Sequence, residues 1–321
     1  MTVWSPIRRP ITGFLDNLSD SISMVEASDP GVLAEVQDSP MWIASDYSGQ
    51  HKGAAHEAYS FLITTSDSLR QWNRERSVFR ARFLPDGRRL SFKNANEPVR
   101  ANALRPFLRL ANVLKGNLVT FMVDTRVQSL FKTEAKADAS DLPEVFPAGT
   151  SCFVVENTLR VGAFASLLVA GLRAESQHAT WISDQDQVLE HHERRERLGE
   201  FIRCTIWGMT GWNNPGMLEF GTTALDWPDR RLEDFVAIAD LAAGAMCSLA
   251  PALAVPEAAG LSKALLPRET VADERTCAIL DWAAEPTSAL RKLLLRVTLD
   301  EHGRLRARAE YIRSLDGLSQ P

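Results

Sequence analysis

The sequence has few cysteines, and their arrangement does not suit a zinc site. The four cysteines are far apart and form no Cys-x-x-Cys pair, and no histidine follows at a companion spacing. We expect them to be buried free thiols. The N-terminus also lacks the apolar core of a signal peptide. Together these absences predict a protein of the reducing cytoplasm.

Several familiar motifs and long apolar segments are missing as well. The chain has no GxxxxGK[S/T] or GxGxxG phosphate loop and no GxSxG nucleophile elbow. Its longest uncharged apolar run, Val161 to Leu172, is too short to span a bilayer and predicts a buried helix. The sequence therefore gives no support to a P-loop nucleotide-binding protein, a serine hydrolase or a membrane protein.

Strong net charge is also lacking. The 321 residues carry a formal net charge of −5, and 45% of them are apolar, which is enough for a substantial core. This balance argues against a protein that coats nucleic acid through a strongly basic surface. A local basic groove on an acidic protein remains compatible with it, so charge neither demands nor excludes a polyanionic partner.

The chain is organised around the stretch Met41 to Gly49. Its short apolar run predicts a buried strand that ends at Asp46, and Gly49 lets the backbone turn. A second strand at Glu57 to Thr64 would complete a hairpin. Because α/β folds place their chemistry where strands leave the core, Asp46 is a candidate site residue. The alternative is that Asp46 merely starts a turn.

Two later strands also run into acidic residues. Asn117 to Val123 leads directly to Asp124, and His178 to Ser183 leads to Asp184, with Asp186 close behind. Repetition of this pattern predicts that carboxylates from several strands gather at one edge of the sheet.

The rest of the chain predicts helices, short strands and a final hairpin. A candidate strand at Arg89 to Phe92 is ended by Lys93, and Met217 to Thr223 could form another. The alternation after Leu293 predicts a C-terminal hairpin around Gly303. We expect helices near residues 66–79, 96–115, 157–176, 187–201 and 232–250, and a division into an arm (1–40), a main domain (41–250) and a C-terminal extension (251–321).

Asp240 lies in the middle of the almost wholly apolar helix predicted at Leu232 to Ala250. No Lys or Arg lies within one turn of it. An isolated carboxylate there costs several kcal/mol unless it is paired, hydrogen-bonded or bound to a metal. Asp240 is therefore a second candidate site residue.

Converging carboxylates are the ligands that hard divalent cations prefer. Two such ions can activate a water and stabilise the leaving oxygen of a phosphodiester. The sequence predicts that Mg²⁺ or Mn²⁺ is held by Asp46, Asp124, Asp240 and either Asp184 or Asp186.

Two motifs carry a resemblance to a known family. Asp46-Tyr47-Ser48-Gly49 follows the first strand, and Ile238-Ala239-Asp240-Leu241-Ala242-Ala243-Gly244 lies in the late helix. Over residues 41–250 the chain resembles the domain of unknown function 3800 family, of the ribonuclease H-like superfamily. The resemblance implies a mixed sheet flanked by helices, with an N-terminal arm and a C-terminal helix and hairpin extension. It also implies that Asp124 is the acid that ends the fourth strand.

The chain departs from the family pattern at two places. Tyr47 replaces an acid after the first Asp, and Ser91 stands where the family tends to have Glu. Glu97 could compensate for the missing acid. The resemblance implies that Lys93, which is retained, binds the scissile phosphate or assists the leaving group. The losses leave open a single metal, or a fold that has lost its activity.

These features predict a divalent-metal-dependent nuclease, with DNA or RNA as substrate undetermined. Trp207, Trp212 and Trp227 could stack bases or simply pin a loop. One alternative is a non-catalytic scaffold of the same fold that binds a protein partner through the arm or the hairpin. Another is metal-dependent phosphoryl chemistry on a small molecule, which would need an enclosed pocket. No membrane partner is expected.

Overall fold

The structure, a computed structural model, describes nine segments of the chain. They are residues 2–7, 13–51, 53–131, 151–184, 192–214, 216–226, 229–258, 273–285 and 288–310.

A seven-stranded mixed sheet forms the centre of the protein. Its strands are β1 (Met41–Ser48), β2 (His56–Thr65), β3 (Gly116–Asp124), β4 (Ala179–Ser183), β5 (Leu218–Thr222), β6 (Leu290–Leu299) and β7 (Leu305–Glu310). They lie in the order β5-β4-β1-β2-β3-β6-β7. β1, β2 and β3 are antiparallel neighbours, β4 and β5 continue parallel to β1, and β6 lies parallel to β3 and antiparallel to β7. The predicted α/β class with a mixed sheet is confirmed.

Seven helices within the described residues cover the sheet. They are α1 (Gly13–Ser28), α2 (Ser66–Phe83), α3 (Pro98–Ala111), α4 (Cys152–Leu172), α5 (His192–Thr210), α6 (Arg231–Ala258) and α7 (Glu274–Ala283). Single 3-10 turns lie at Phe92–Asn94 and Thr223–Leu225. Side-chain caps fix three of the helix starts, because Thr65 accepts from the Ser68 amide, Ser151 from the Val154 amide and Asp273 from the Thr276 amide.

The helices divide between the two faces of the sheet. Alternate residues of a strand point to opposite faces, so Ile43 packs in the core beneath α1, α4 and α5, whereas Ala44 packs beneath α2, α3, α6 and α7. The α4 helix is long and apolar enough to cross a membrane by length and composition, but most of it is buried inside the protein. Its apolar character is that of a helix packed between the sheet and other helices.

Two features differ from the sequence predictions, and a third is confirmed. Residues 89–92 form no strand, because the free edge of β2 is taken by β3 and Phe92 begins a 3-10 turn instead. Cys152 and Cys204 are exposed rather than buried. The predicted C-terminal hairpin is present as β6 and β7, and it extends the same sheet beyond β3.

Candidate carboxylate site

Asp46 and Asp184 lie side by side on neighbouring parallel strands. The register of β1 and β4 pairs Ser45 with Ser183. The residues that follow them, Asp46 and Asp184, therefore lie at the same height along the two strands. Ala44 and Ile182 face α6. Because side chains two residues apart in a strand point to the same face, Asp46 and Asp184 also face α6. The parallel pairing of β1 and β4 is therefore what brings these two acids together.

Asp240 approaches the same point from α6, which packs against β1 and β2. Its carboxyl group is hydrogen-bonded to that of Asp46, and its Oδ2 accepts from the Phe92 amide at 2.5 Å. The pKa of Asp240 is raised to about 6, mainly by burial and to a lesser extent by the nearby charge of Asp184, against the opposing effects of the Phe92 amide, Asp46 and Arg89. A hydrogen bond between two carboxyl groups requires that one of them carry a proton.

Asp184 is held by two side chains. Thr223 donates its hydroxyl to Oδ1 at 2.7 Å, and Arg89 Nη2 lies 2.9 Å from Oδ2. Arg89 also lies 3.6 Å from Glu233. Arg89 was not among the predicted site residues, and its only signal in the sequence was its place in an arginine-rich stretch. It supplies the positive charge that the α6 sequence does not offer to Asp240.

Asp124 does not join this group. The register sets Asp46 opposite Ser60, Ser60 opposite Thr120, and His56 opposite Asp124. Asp124 is thus two strands away and four residues further along, roughly 15 Å from Asp46. Its carboxylate is bound by the side chain and amide of Arg126. Burial favours a raised pKa for Asp124, but these hydrogen bonds lower it overall.

The other predicted site residues lie outside the group or outside the described residues. Lys93 is exposed on the 3-10 turn at Phe92–Asn94. Glu97 pairs with Arg100 on the first turn of α3 and does not replace the missing acid. Asp186 lies outside the described residues, as does Trp227.

Tyr47 points away from the carboxylates. Its ring packs on Tyr59 and Phe61, and its hydroxyl is hydrogen-bonded to Ser45 at 2.8 Å. Because neighbouring residues of a strand face opposite sides of the sheet, a side chain at this position does not project beside Asp46. A side chain at position 47 therefore supplies no ligand to this group, whether it is Tyr or an acid.

The group fits a hard cation by the chemistry of its donors but not by their present arrangement. Asp46, Asp184 and Asp240 offer only carboxylate oxygens, which suit Mg²⁺ or Mn²⁺. Within the described part of the chain, however, no three His, Cys, Asp or Glu side chains are arranged to hold a metal ion. Arg89 and a shared proton neutralise the acids instead.

Basic residues are concentrated in α2, α3 and the loop between them. Residues 66–111, which include α2 and α3, contain eleven Lys and Arg against four Asp and Glu. An open groove of about 420 Å³ between α2 and the start of α6 is lined by Arg76, Arg80 and Arg230. These three are ion-paired with Asp234 or Glu233, so the groove itself is close to neutral. The unbalanced positive charge is on the outer surfaces of α2 and α3.

The aromatic cluster shows one exposed ring. Trp207 is exposed on α5, whereas Trp212 is half-buried beneath the Arg173 guanidinium.

Comparison of the sequence with models of protein families and with curated proteins found no match. The case for function therefore rests on the geometry of the carboxylates.

Proposed function

We propose that this protein is a divalent-metal-dependent phosphodiester hydrolase, a nuclease, built on a ribonuclease H-like core. The observation that carries the proposal is the meeting of Asp46, Asp184 and Asp240 from three separate elements at one point of the sheet. A carboxylate whose pKa is strongly raised by burial and by neighbouring acids, as that of Asp240 is, marks a candidate functional site.

The topology supports the same assignment. An antiparallel trio, β1 to β3, is flanked by the parallel strands β4 and β5, and a late helix crosses back over β1. The acids occupy the first strand, the end of the fourth and this helix. That arrangement is consistent with the ribonuclease H-like fold that the sequence motifs suggested.

The three aspartates would hold Mg²⁺ or Mn²⁺, which when bound would supply Lewis acidity and lower the pKa of a coordinated water. Asp46 and Asp240 would give up their shared proton, and Asp184 would exchange its ion pair with Arg89 for the cation. Thr223 would keep Asp184 oriented through its hydroxyl. The basic surfaces of α2 and α3 would attract the phosphate backbone of a nucleic acid.

A specific observation favours the second candidate, a non-catalytic scaffold. Asp240 and Asp184 already have protein partners, the Phe92 amide and Arg89, and so could be structural groups. In that case the protein partner would bind elsewhere, for example at α1 or at the β6–β7 hairpin. An enclosed pocket beside the acids, which small-molecule phosphoryl chemistry would need, has no support in the described residues.

The deciding experiment is cleavage of labelled single- and double-stranded DNA and RNA with Mg²⁺, Mn²⁺ or EDTA. Asp46→Asn and Asp240→Asn should abolish metal-dependent cleavage while circular dichroism shows an intact fold. Asp67→Asn, in an exposed pair with Arg70, is the matched control and should be fully active. Asp124→Asn should also cut, because Asp124 lies away from the group.

Two results would contradict the proposal. The nuclease assignment fails if the wild type cuts none of the four substrates with either metal. It fails equally if Asp46→Asn and Asp240→Asn cut as well as the wild type, since the activity would then belong to another site or a contaminant.

A further inference from the structure

A small cavity lies between the sheet and the helices α6 and α7. Its volume is about 30 Å³, close to the share of one water molecule in the liquid, and it is partly open to solvent. Its apolar walls come from β3, β6, α6 and α7, and they include Leu118, Ala242, Met246, Ile279, Trp282 and Leu294. The cavity can therefore take a small group, and a longer body can extend through its open side.

Lys292 lines this cavity from β6, on a part of the sheet that is separate from the carboxylate group. Along one row of the sheet, the register pairs Lys292 with Leu118 of β3, Leu118 with Leu62 of β2, and Leu62 with Ala44 of β1. Because neighbouring strands are about 4.8 Å apart, the Cα atom of Lys292 lies roughly 14 Å from that of Ala44. The cavity and the acids are therefore two distinct places in the fold.

The amine of Lys292 lacks an acceptor. Among the described residues, its Nζ is buried without a hydrogen-bond partner and lies 4.8 Å from the centre of the Trp282 ring. A protonated amine carries three N–H donors, and a buried charge without a partner costs free energy. The face of an aromatic ring offsets only part of that cost. An anion beside Nζ would satisfy the donors and balance the charge.

The nearby acids are engaged by other groups. Glu310 lines the same cavity, but its carboxylate is paired with Arg296 at 3.2 Å. Glu285, just after α7, accepts a hydrogen bond from Asn112 Nδ2 at 2.6 Å. The residues of β3 and α6 that line the cavity carry no charge. The described residues thus leave the place of an anion beside Lys292 open.

Lys292 is a cation at neutral pH. Burial lowers its pKa to about 8, an effect that the charge of Glu285 opposes and that of Arg291 reinforces. At pH 7 most of the amine is therefore still protonated. A bound anion would raise this pKa again, because it favours the charged form of the amine.

We propose that this cavity is a binding site for a small monocarboxylate with an apolar body. The carboxylate pairs with the Lys292 amine, and the body packs against Met246, Ile279 and Leu294. The flexible stem of lysine lets the amine turn from the Trp282 ring toward the ligand. A single positive charge between apolar walls suits a singly charged carboxylate, whereas the second charge of a phosphate would be buried without a partner. The site does not depend on the proposed nuclease function.

The test is saturation-transfer NMR at pH 7, with hexanoate and benzoate as probes. Hexanamide has the same apolar body as hexanoate without the charge and is the matched neutral ligand. The wild type should bind hexanoate with a Kd on the order of 1 mM, as expected for a ligand of this size. Hexanamide should bind at least about 10-fold more weakly, since it offers the ammonium only a neutral acceptor.

Two variants show whether Lys292 recognises the carboxylate. Lys292→Met keeps an apolar side chain of similar length and should weaken hexanoate binding about 10- to 100-fold, while hexanamide binding should stay unchanged. Lys115→Met, at an exposed lysine that pairs with Asp38, is the matched control and should bind hexanoate as the wild type does. Circular dichroism checks that both variants are folded.

Three results would overturn the proposal. The first is the absence of saturable binding of hexanoate and benzoate by the wild type at concentrations up to about 10 mM. The second is equal affinity of Lys292→Met and the wild type for hexanoate. The third is equal affinity of the wild type for hexanoate and hexanamide, because the cavity would then recognise only the apolar body. None of these results bears on the nuclease assignment, since no acid of the carboxylate group is changed.

Discussion

The carboxyl groups of Asp46 and Asp240 are hydrogen-bonded to each other, although one lies on the first strand and the other in the middle of the longest helix. The pair keeps a proton at pH values where an exposed aspartate has lost it, because burial raises the pKa of Asp240 to about 6. Four of the predictions below follow from such buried charges and close contacts.

The first prediction concerns stability against pH. An aspartate whose pKa is raised in the folded state binds protons more tightly there than in the unfolded chain. Stability is therefore lost as pH rises from about 4 to about 6, and the full cost is present above that range. Asp240→Asn should be more stable than the wild type by about 2–3 kcal/mol at pH 8 and equal to it at pH 4. Urea unfolding at several pH values measures this.

The control for that experiment is Asp67→Asn on the exposed first turn of α2. Its difference from the wild type should stay near zero at pH 8. Addition of Mg²⁺ at pH 8 should stabilise the wild type and not Asp240→Asn, since only the wild type retains the charged pair. If the difference in unfolding free energy between the wild type and Asp240→Asn is the same at pH 5 and at pH 8, the pH dependence assigned to the Asp240 carboxyl group is contradicted.

The second prediction concerns Asp234, on the first turn of α6. It is almost fully buried and binds both Arg76 and Arg80 of α2. Asp234→Asn leaves two buried guanidinium groups without their counter-charge, which should destabilise the fold by about 3–5 kcal/mol. Asp67→Asn breaks an exposed pair and should cost less than about 1 kcal/mol. Equal losses in the two variants, measured by chemical denaturation, would refute this prediction.

The third prediction concerns the close contact between Gly244 and Phe92. A methyl group at residue 244 would overlap the Phe92 ring, so Gly244→Ala should cost about 1–3 kcal/mol. Phe92→Ala in the same chain should recover part of that loss, because it removes the overlap. Gly13→Ala is the control, since a side chain there meets nothing within 4 Å. Additive losses in the double variant would show that the two residues do not press on each other.

The fourth prediction concerns Lys292 on β6. Its amine is buried, lies 4.8 Å from the centre of the Trp282 ring and makes no hydrogen bond within the described residues. Burial lowers the pKa of Lys292 to about 8. The unfolded chain therefore binds more protons between about pH 8 and 10, and wild-type stability rises with pH across that range. Below pH 8 the buried charge carries its full cost.

Lys292→Met should thus stabilise the protein at pH 7 by about 1–2 kcal/mol, a figure reduced for the solvent that reaches part of the side chain. The gain should shrink as pH approaches 10. Lys115→Met, at an exposed lysine that pairs with Asp38, is the matched control and should change little. A constant gain at all pH values would point to better packing by Met rather than removal of a charge.

The apolar strands could be predicted from the sequence because each is a short apolar run that is bounded by polar, glycine or proline residues. Two of the predicted strands, Met41 to Ser45 and Asn117 to Val123, lie wholly in β1 and β3. The third, His178 to Ser183, matches β4 except that His178 precedes it. The pairing of those strands was not readable, since register depends on contacts far apart in the chain. Asp46 and Asp184 meet because their strands are parallel neighbours. Asp124 does not meet them because β3 is separated from β1 by β2. Asp124 also lies four residues beyond Thr120, the β3 residue at the level of Asp46.

Residues 89–92 show a second limit of prediction from sequence. They were predicted to form a strand, but the position beside β2 in the sheet is occupied by β3. The Phe92 ring instead packs against Gly244 of α6, which lies 152 residues later in the chain. Arg89 could not be identified as part of the site, because its partners Asp184 and Glu233 come from distant parts of the sequence.

The parallel pairing of β3 with β6 has a consequence for biosynthesis. β3 ends at Asp124, but β6 begins only at Leu290. As the chain leaves the ribosome, one edge of the nascent sheet therefore stays unpaired through the synthesis of more than half of the protein. An apolar strand with free N–H and C=O groups readily joins a strand of another chain. Premature termination before residue 290 should therefore yield polypeptides that self-associate through β3, and completion of the last hairpin removes that hazard.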